Sequence, residues 1–122
     1  MLQFISPWTG EVFESHISMD AYACNGRMFL NLIILNNETF DGKNYQFYEP
    51  YCDITVNLPG EILSGESCAF VDVNNAPFIT RFLEENGLAE PTGMMGFSGW
   101  CAYPEYRFNM DAVREHLLKG ES

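Results

Sequence analysis

Between Ala69 and Phe108 the chain places its glycines, prolines and asparagines so that few folds remain open to it. Cys68 to Val73 reads as a strand. Asn74 or Asn75 then caps a helix, and Pro77 suits its first turn, where a missing N–H has no partner to lose. Phe78, Ile79, Phe82 and Leu83 recur at helical spacing and form one apolar face, while Arg81, Glu84 and Glu85 fall largely elsewhere. Gly87 is placed to stop this helix in the left-handed conformation. Pro91 to Gly99 reads as a glycine-rich loop. Tyr103 to Phe108 returns as a strand in which Pro104 calls for an edge position or a bulge. No recognisable catalytic set accompanies this plan.

The residues before this block add strands. Glu11 to Ala23 alternates loosely, and Asn25-Gly26 is a two-residue turn signal, so a hairpin is predicted from about Ser15 to Leu35. Asn36-Asn37 and Asp41-Gly42 predict turns on either side of Thr39-Phe40, with a short strand at Tyr45–Tyr48. Asp53 to Leu58 alternates apolar Ile54, Val56 and Leu58 with polar neighbours, the period of a half-buried strand. Near the end, Asn109 caps a helix from about Met110 to Leu118, with Asp111 and Lys119 matching its dipole. The sum is an α+β domain: a mainly antiparallel sheet of about five strands, one central helix and one C-terminal helix. No repeat or linker interrupts the 122 residues, so residues 1–122 are expected to form a single domain.

Charge narrows the partners. Seventeen acids against six bases give a net charge of −11, although charged residues make up only 19% of the chain. The imbalance is a shortage of Lys and Arg, and the six cations are scattered. Contact with a phosphate backbone requires clustered cations, so direct nucleic-acid binding is excluded. The longest apolar run, Leu32 to Leu35, is far too short to span a bilayer. The N-terminus lacks the basic start and apolar run of a signal peptide, which predicts a cytoplasmic protein. Four cysteines at 24, 52, 68 and 101 form no C-x-x-C pair and are expected to be reduced, packed as small hydrophobes.

Chemistry-bearing motifs are incomplete. Gly93 to Gly99 lacks the Lys-Ser/Thr ending of a phosphate loop, and Trp100 stands where a nucleophile elbow needs glycine. Ser98 and Cys101 are the natural nucleophiles, but only His16 and His116 are available as bases, and nothing places either beside them. The histidines and carboxylates show no metal-ligand spacing. No catalytic residue, cofactor or metal is therefore expected. Met94, Met95, Phe97, Trp100, Tyr103 and Tyr106 remain as a candidate interaction surface, adaptable methionines beside an aromatic edge.

Several segments carry a resemblance: Tyr22-Ala23-Cys24-Asn25-Gly26, Glu49 to Leu58, and above all Phe70-Val71-Asp72-Val73-Asn74-Asn75, Leu83-Glu84-Glu85-Asn86-Gly87 and Ser98-Gly99-Trp100-Cys101-Ala102-Tyr103-Pro104. The chain resembles, from about Tyr22 to Phe108, a bacterial family catalogued only as a domain of unknown function, common in gut Gram-positive bacteria and in mobile or conjugative elements. The resemblance implies a small stand-alone cytoplasmic domain and brings no catalytic residues. Together these readings favour a non-catalytic, acidic protein-interaction module with an unidentified protein partner, in the setting of a mobile-element accessory protein. An acidic decoy that occupies a DNA-binding or defence protein is the alternative, and a small enzyme comes third.

Overall fold

The computed structural model describes residues 2–117. Eight strands form two four-stranded antiparallel sheets. The first sheet runs β1 (Leu2–Ile5), β2 (Val12–Ala21), β3 (Met28–Phe40) and β4 (Lys43–Asp53), in that order. The second contains β5 (Thr55–Val56), β6 (Cys68–Val71), β7 (Ala89–Ser98) and β8 (Cys101–Phe108), in the order β5-β6-β8-β7. Helix α1 (Ile79–Glu85) joins β6 to β7, and α2 (Met110–Glu115) follows β8. The α+β class expected from the sequence holds; the strands number eight among the described residues, where about five were expected.

One core serves both sheets. Leu2, Phe4, Ile17, Leu30, Leu32 and Ile34 from the first sheet meet Ala69, Val71, Tyr106 and Phe108 from the second. Ile79, Phe82 and Leu83 of α1 and Val113 of α2 complete the same cluster. The chain crosses between sheets at Ile54, which is fully buried. There the Ile54 N–H donates to Leu30 O, while Ile54 O accepts from the Asp72 N–H. Thr55 Oγ1 accepts from the Leu30 N–H at 3.0 Å, so the corner leaves no orphaned donor at Leu30. The expected strand Asp53–Leu58 is therefore broken: Asp53 ends β4, Ile54 turns the corner, and only Thr55–Val56 pairs with β6.

Turn chemistry explains the hairpins. The hairpin expected around Asn25-Gly26 is present, β2 pairing with β3 from Ser15↔Ile34 to Ala21↔Met28. Its loop is longer than two residues: Tyr22 N–H donates to Arg27 O and Gly26 N–H to Tyr22 O. The β1–β2 loop repeats that pattern, Ser6 N–H donating to Glu11 O and Gly10 N–H to Ser6 O. Between β3 and β4, Asp41 and Gly42 adopt φ of 54° and 75°, the positive pair that a type I′ turn requires. The turn expected at Asn36-Asn37 is absent. Both residues lie within β3, opposite Phe47 and Gln46, and the Asn36 side-chain amide donates to Glu49.

Helix α1 starts later than expected. The Asp72 carboxylate accepts from the Asn75 N–H and side-chain amide, holding Asn74 and Asn75 in a turn of their own. Pro77 follows in a second turn, closed by Ile79 N–H to Ala76 O, so Phe78 occupies the N-cap without a side-chain cap. The far end is as expected: Gly87 has φ 65°, Gly87 N–H donates to Glu84 O and Leu88 N–H to Leu83 O. This is a Schellman stop, with buried Leu88 and Leu83 as its apolar contact. At α2, Asn109 caps as expected by accepting from the Ala112 N–H. The helix stops short of the expected Leu118: it ends at Glu115 with His116 as C-cap, and Arg114 is the cation of its last turn, while Lys119 lies outside the described residues. Beyond α2, Leu117 forms a parallel bridge with Ile17, and Ile17 N–H donates to His116 O.

Candidate interaction surface

The segment from Pro91 to Gly99 is a strand, where a loop was expected. Met95, Gly96, Phe97 and Ser98 pair with Pro104, Tyr103, Ala102 and Cys101, so β7 and β8 form a hairpin closed at Gly99-Trp100. The irregularity that glycine and proline do produce is confined to one place, the register shift between Pro91 and Met95. Pro104 lies at the edge of that shift and outside the part of β8 that pairs with β6, which satisfies its need for a bulge. Gly96 is buried beneath two side chains: a Cβ there would stand 2.6 Å from Phe70 Cε1 and 2.8 Å from Leu58 Cδ1. Its role is close packing.

This hairpin divides the six expected surface residues. Trp100 at the tip is fully exposed, and Met94, Met95 and Phe97 are exposed by 44–60%. Tyr103, opposite Gly96, is half-buried. Tyr106 does not belong to the surface: it is buried in the core, and its hydroxyl donates to Glu84 at 2.9 Å. Burial, reinforced by the Glu84 carboxylate, pushes its pKa up to about 12. Ile62, in the loop between β5 and β6, is exposed by 90%, and its neighbour Glu61 accepts through Oε1 from the Phe97 N–H. A lone isoleucine after Pro59-Gly60, with no strand or helix period around it, was the available signal.

A buried carboxylate supports the hairpin from beneath. Glu105 of β8 is 1% exposed and accepts from Ser64 N at 2.8 Å, Ser64 Oγ at 2.6 Å and Thr92 Oγ1 at 2.6 Å. Burial acts to raise its pKa, but the bonds from Ser64 and Thr92, with the Arg107 charge, outweigh it and hold the carboxyl below the usual range. The loop between β5 and β6 is thereby tied to both β7 and β8. On its other side Arg27 donates to Leu58 O at 2.8 Å and to Glu61 O, anchoring the same loop to the β2–β3 turn.

The suspected nucleophiles and bases are not brought together. Ser98 and Cys101 face each other at the base of the hairpin turn on the second sheet. His16 lies on β2 of the first sheet, paired with Ile33, its ring 5.2 Å from that of Tyr48 and its Nε2 buried without a hydrogen-bond partner. His116 caps the end of α2. Among the described residues no three His, Cys, Asp or Glu side chains are grouped to hold a metal. Of the cysteines, all four unpaired, only Cys68 is buried as a small hydrophobe; Cys24 is exposed. Burial, with Asp53 and Asp72 nearby, pushes the Cys52 thiol up to about 12, and burial likewise raises Cys68.

The sequence profile of a family described as a domain of unknown function, DUF4313, matches residues 18–121. The chain belongs to that family. No curated protein and no solved structure matches it. The DUF4313 match takes in β3 through α2, and so the whole β7–β8 hairpin and the loop beneath it, while β1 falls before it. No helix among the described residues is long and apolar enough to cross a membrane.

Proposed function

We propose that this chain is a non-catalytic protein-interaction module whose contact surface is the tip of the β7–β8 hairpin. The observation that carries this reading is the exposure of Met94, Met95, Phe97 and Trp100 on one anchored hairpin, whose strands pair at Met95 and Phe97. Such side chains are enriched at the centres of protein interfaces, and a rigid strand pair presents them at low entropic cost. The loop that carries exposed Ile62 is bonded to the hairpin through Glu61, and the Glu105 network fixes the hairpin's base. The partner is an unidentified protein, and an accessory role in a mobile element is part of the same reading, resting on the family resemblance.

The test compares affinity capture by the natural chain and by a Phe97→Ser, Trp100→Ala variant. Both side chains are exposed, so the variant is expected to keep its thermal stability. A protein recovered reproducibly by the natural chain and lost with the variant supports the reading. Equal recovery by both would remove the hairpin from consideration.

A further inference from the structure

The longest outer strand of the molecule is β4, and it carries features that an unpaired edge seldom combines. Its inner neighbour is β3, so its other edge offers backbone groups to no strand among the described residues. Beyond Ile34 the β3–β4 hairpin leaves the core, yet it stays aromatic: Phe40 is exposed by 73% and Tyr45, Phe47 and Tyr48 by 38–49%. Natural edges are kept short or charged because a long apolar one invites pairing.

Hairpin geometry settles which backbone groups are available. The two-residue turn at Asp41-Gly42 makes Phe40 and Lys43 the pair that exchanges both backbone hydrogen bonds. Alternation along the ladder directs the backbone of Lys43, Tyr45 and Phe47 toward β3, and that of Asn44, Gln46 and Tyr48 outward. Pro50, the next outward position, has no N–H and ends the available edge. The usable stretch runs from the turn to Pro50 and is symmetric about Gln46.

We propose that β4 pairs antiparallel with β4 of a second copy of this chain, with the two-fold axis at Gln46. In that register Gln46 faces its own copy and Asn44 faces Tyr48, so every outward N–H and C=O of the stretch is used. Centring on Tyr48 instead sets Gln46 against Pro50, and centring on Asn44 runs Gln46 into the turn. The side chains agree with the backbone. Lys43, which forms no ion pair among the described residues, falls opposite Glu49 of the second copy, and Tyr45 falls opposite Phe47. Symmetry makes each contact twice. Opposite charges and aromatic pairs directly across a sheet are the favourable cross-strand combinations. Tyr45 and Phe47 of both copies then share the face that carries Ile34, where the hairpin has run beyond the core.

A strand pair of this length lies at the small end of interface sizes, and each copy carries a net charge of −11, so association in the micromolar range is expected. Sedimentation velocity on the full chain from about 1 µM to about 500 µM, in roughly 0.15 M salt, reads the mass directly. The expected result is a monomer–dimer equilibrium. Gln46→Pro removes an outward N–H and leaves pairing with β3 intact, so it should abolish the dimer with an unchanged far-ultraviolet spectrum. Lys43→Glu should weaken association by roughly tenfold, and Lys43→Glu with Glu49→Lys should restore it. A monomer throughout the range overturns the proposal. So does a dimer that survives Gln46→Pro, or a charge swap that fails to rescue. Loss of the hairpin-tip partner in the Phe97→Ser, Trp100→Ala variant tests a different surface and leaves this equilibrium unmoved.

Discussion

Two glycines show what a single residue discloses about its own environment. Gly87 follows a helical run and precedes an apolar residue, and that local pattern is enough to assign its positive φ. Gly96 looks the same in sequence but is held by Phe70 and Leu58, which lie far away along the chain. Its packing role was illegible because the cause is non-local. Gly96→Ala is expected to cost about 1–3 kcal/mol, since both neighbouring side chains are buried and have little room to yield; urea unfolding measures it, and an unchanged midpoint would refute the close contact. The cysteines divide similarly. Cys24 is exposed, whereas Cys52 and Cys68 are held protonated by burial. Thiolate is the reactive form, so Cys24 should react with a thiol-labelling reagent at neutral pH well before Cys52 or Cys68. Mass spectrometry of partly labelled protein decides this, and early labelling of Cys52 would contradict the fold at β4.

At the scale of elements, legibility follows whether a signal is local. The β2–β3 hairpin, the end of α1 and the Asn109 cap of α2 were readable from turn and cap residues. Strand β7 was not, because Pro91, Gly93, Gly96 and Gly99 lower strand propensity, and only pairing with β8 overrides it. The candidate surface suffered the same way. Its exposed methionines and Trp100 were identified, but Tyr106, two residues after Pro104, alternates inward to the core. Glu105, one residue earlier, points to the opposite face and binds the loop between β5 and β6. Its folded pKa is lowered, so its ionised form contributes stability above the unfolded value of about 4.3, and that contribution is lost as pH falls through the folded value. Glu105→Gln should therefore flatten the acid limb of a stability-versus-pH curve measured by chemical denaturation. Glu105→Ala should cost about 2–4 kcal/mol at neutral pH by leaving a cavity and the Ser64 N–H and hydroxyl without their acceptor. An acid limb identical in the Gln variant would show that the carboxylate is not the stabilising form.

For the whole molecule the decisive feature is the corner at Ile54, which no periodicity announces. The run Asp53 to Leu58 alternates like one strand, yet its first residue belongs to one sheet and its next pair to the other. Alternation reports which face is buried and is silent on which sheet a residue joins, so the sequence shows one sheet where there are two; the shortfall in strands comes from elsewhere, from β1, too short to show a period, and from β7, whose glycines read as a loop. The corner also couples the sheets mechanically. Leu30 of β3 accepts from Ile54 through its carbonyl and donates through its N–H to Thr55, while Ile54 O receives Asp72 next to β6. With a single core drawing side chains from both sheets and both helices, neither sheet has a separate interior to retain. Unfolding is therefore expected to be one cooperative transition. Leu32, fully buried in the first sheet, provides the test. Leu32→Ala should cost about 2–5 kcal/mol and lower amide-exchange protection in β6 and β8 as much as in β2 and β3. Protection lost in the first sheet alone would mean that the Ile54 corner joins two independently stable layers.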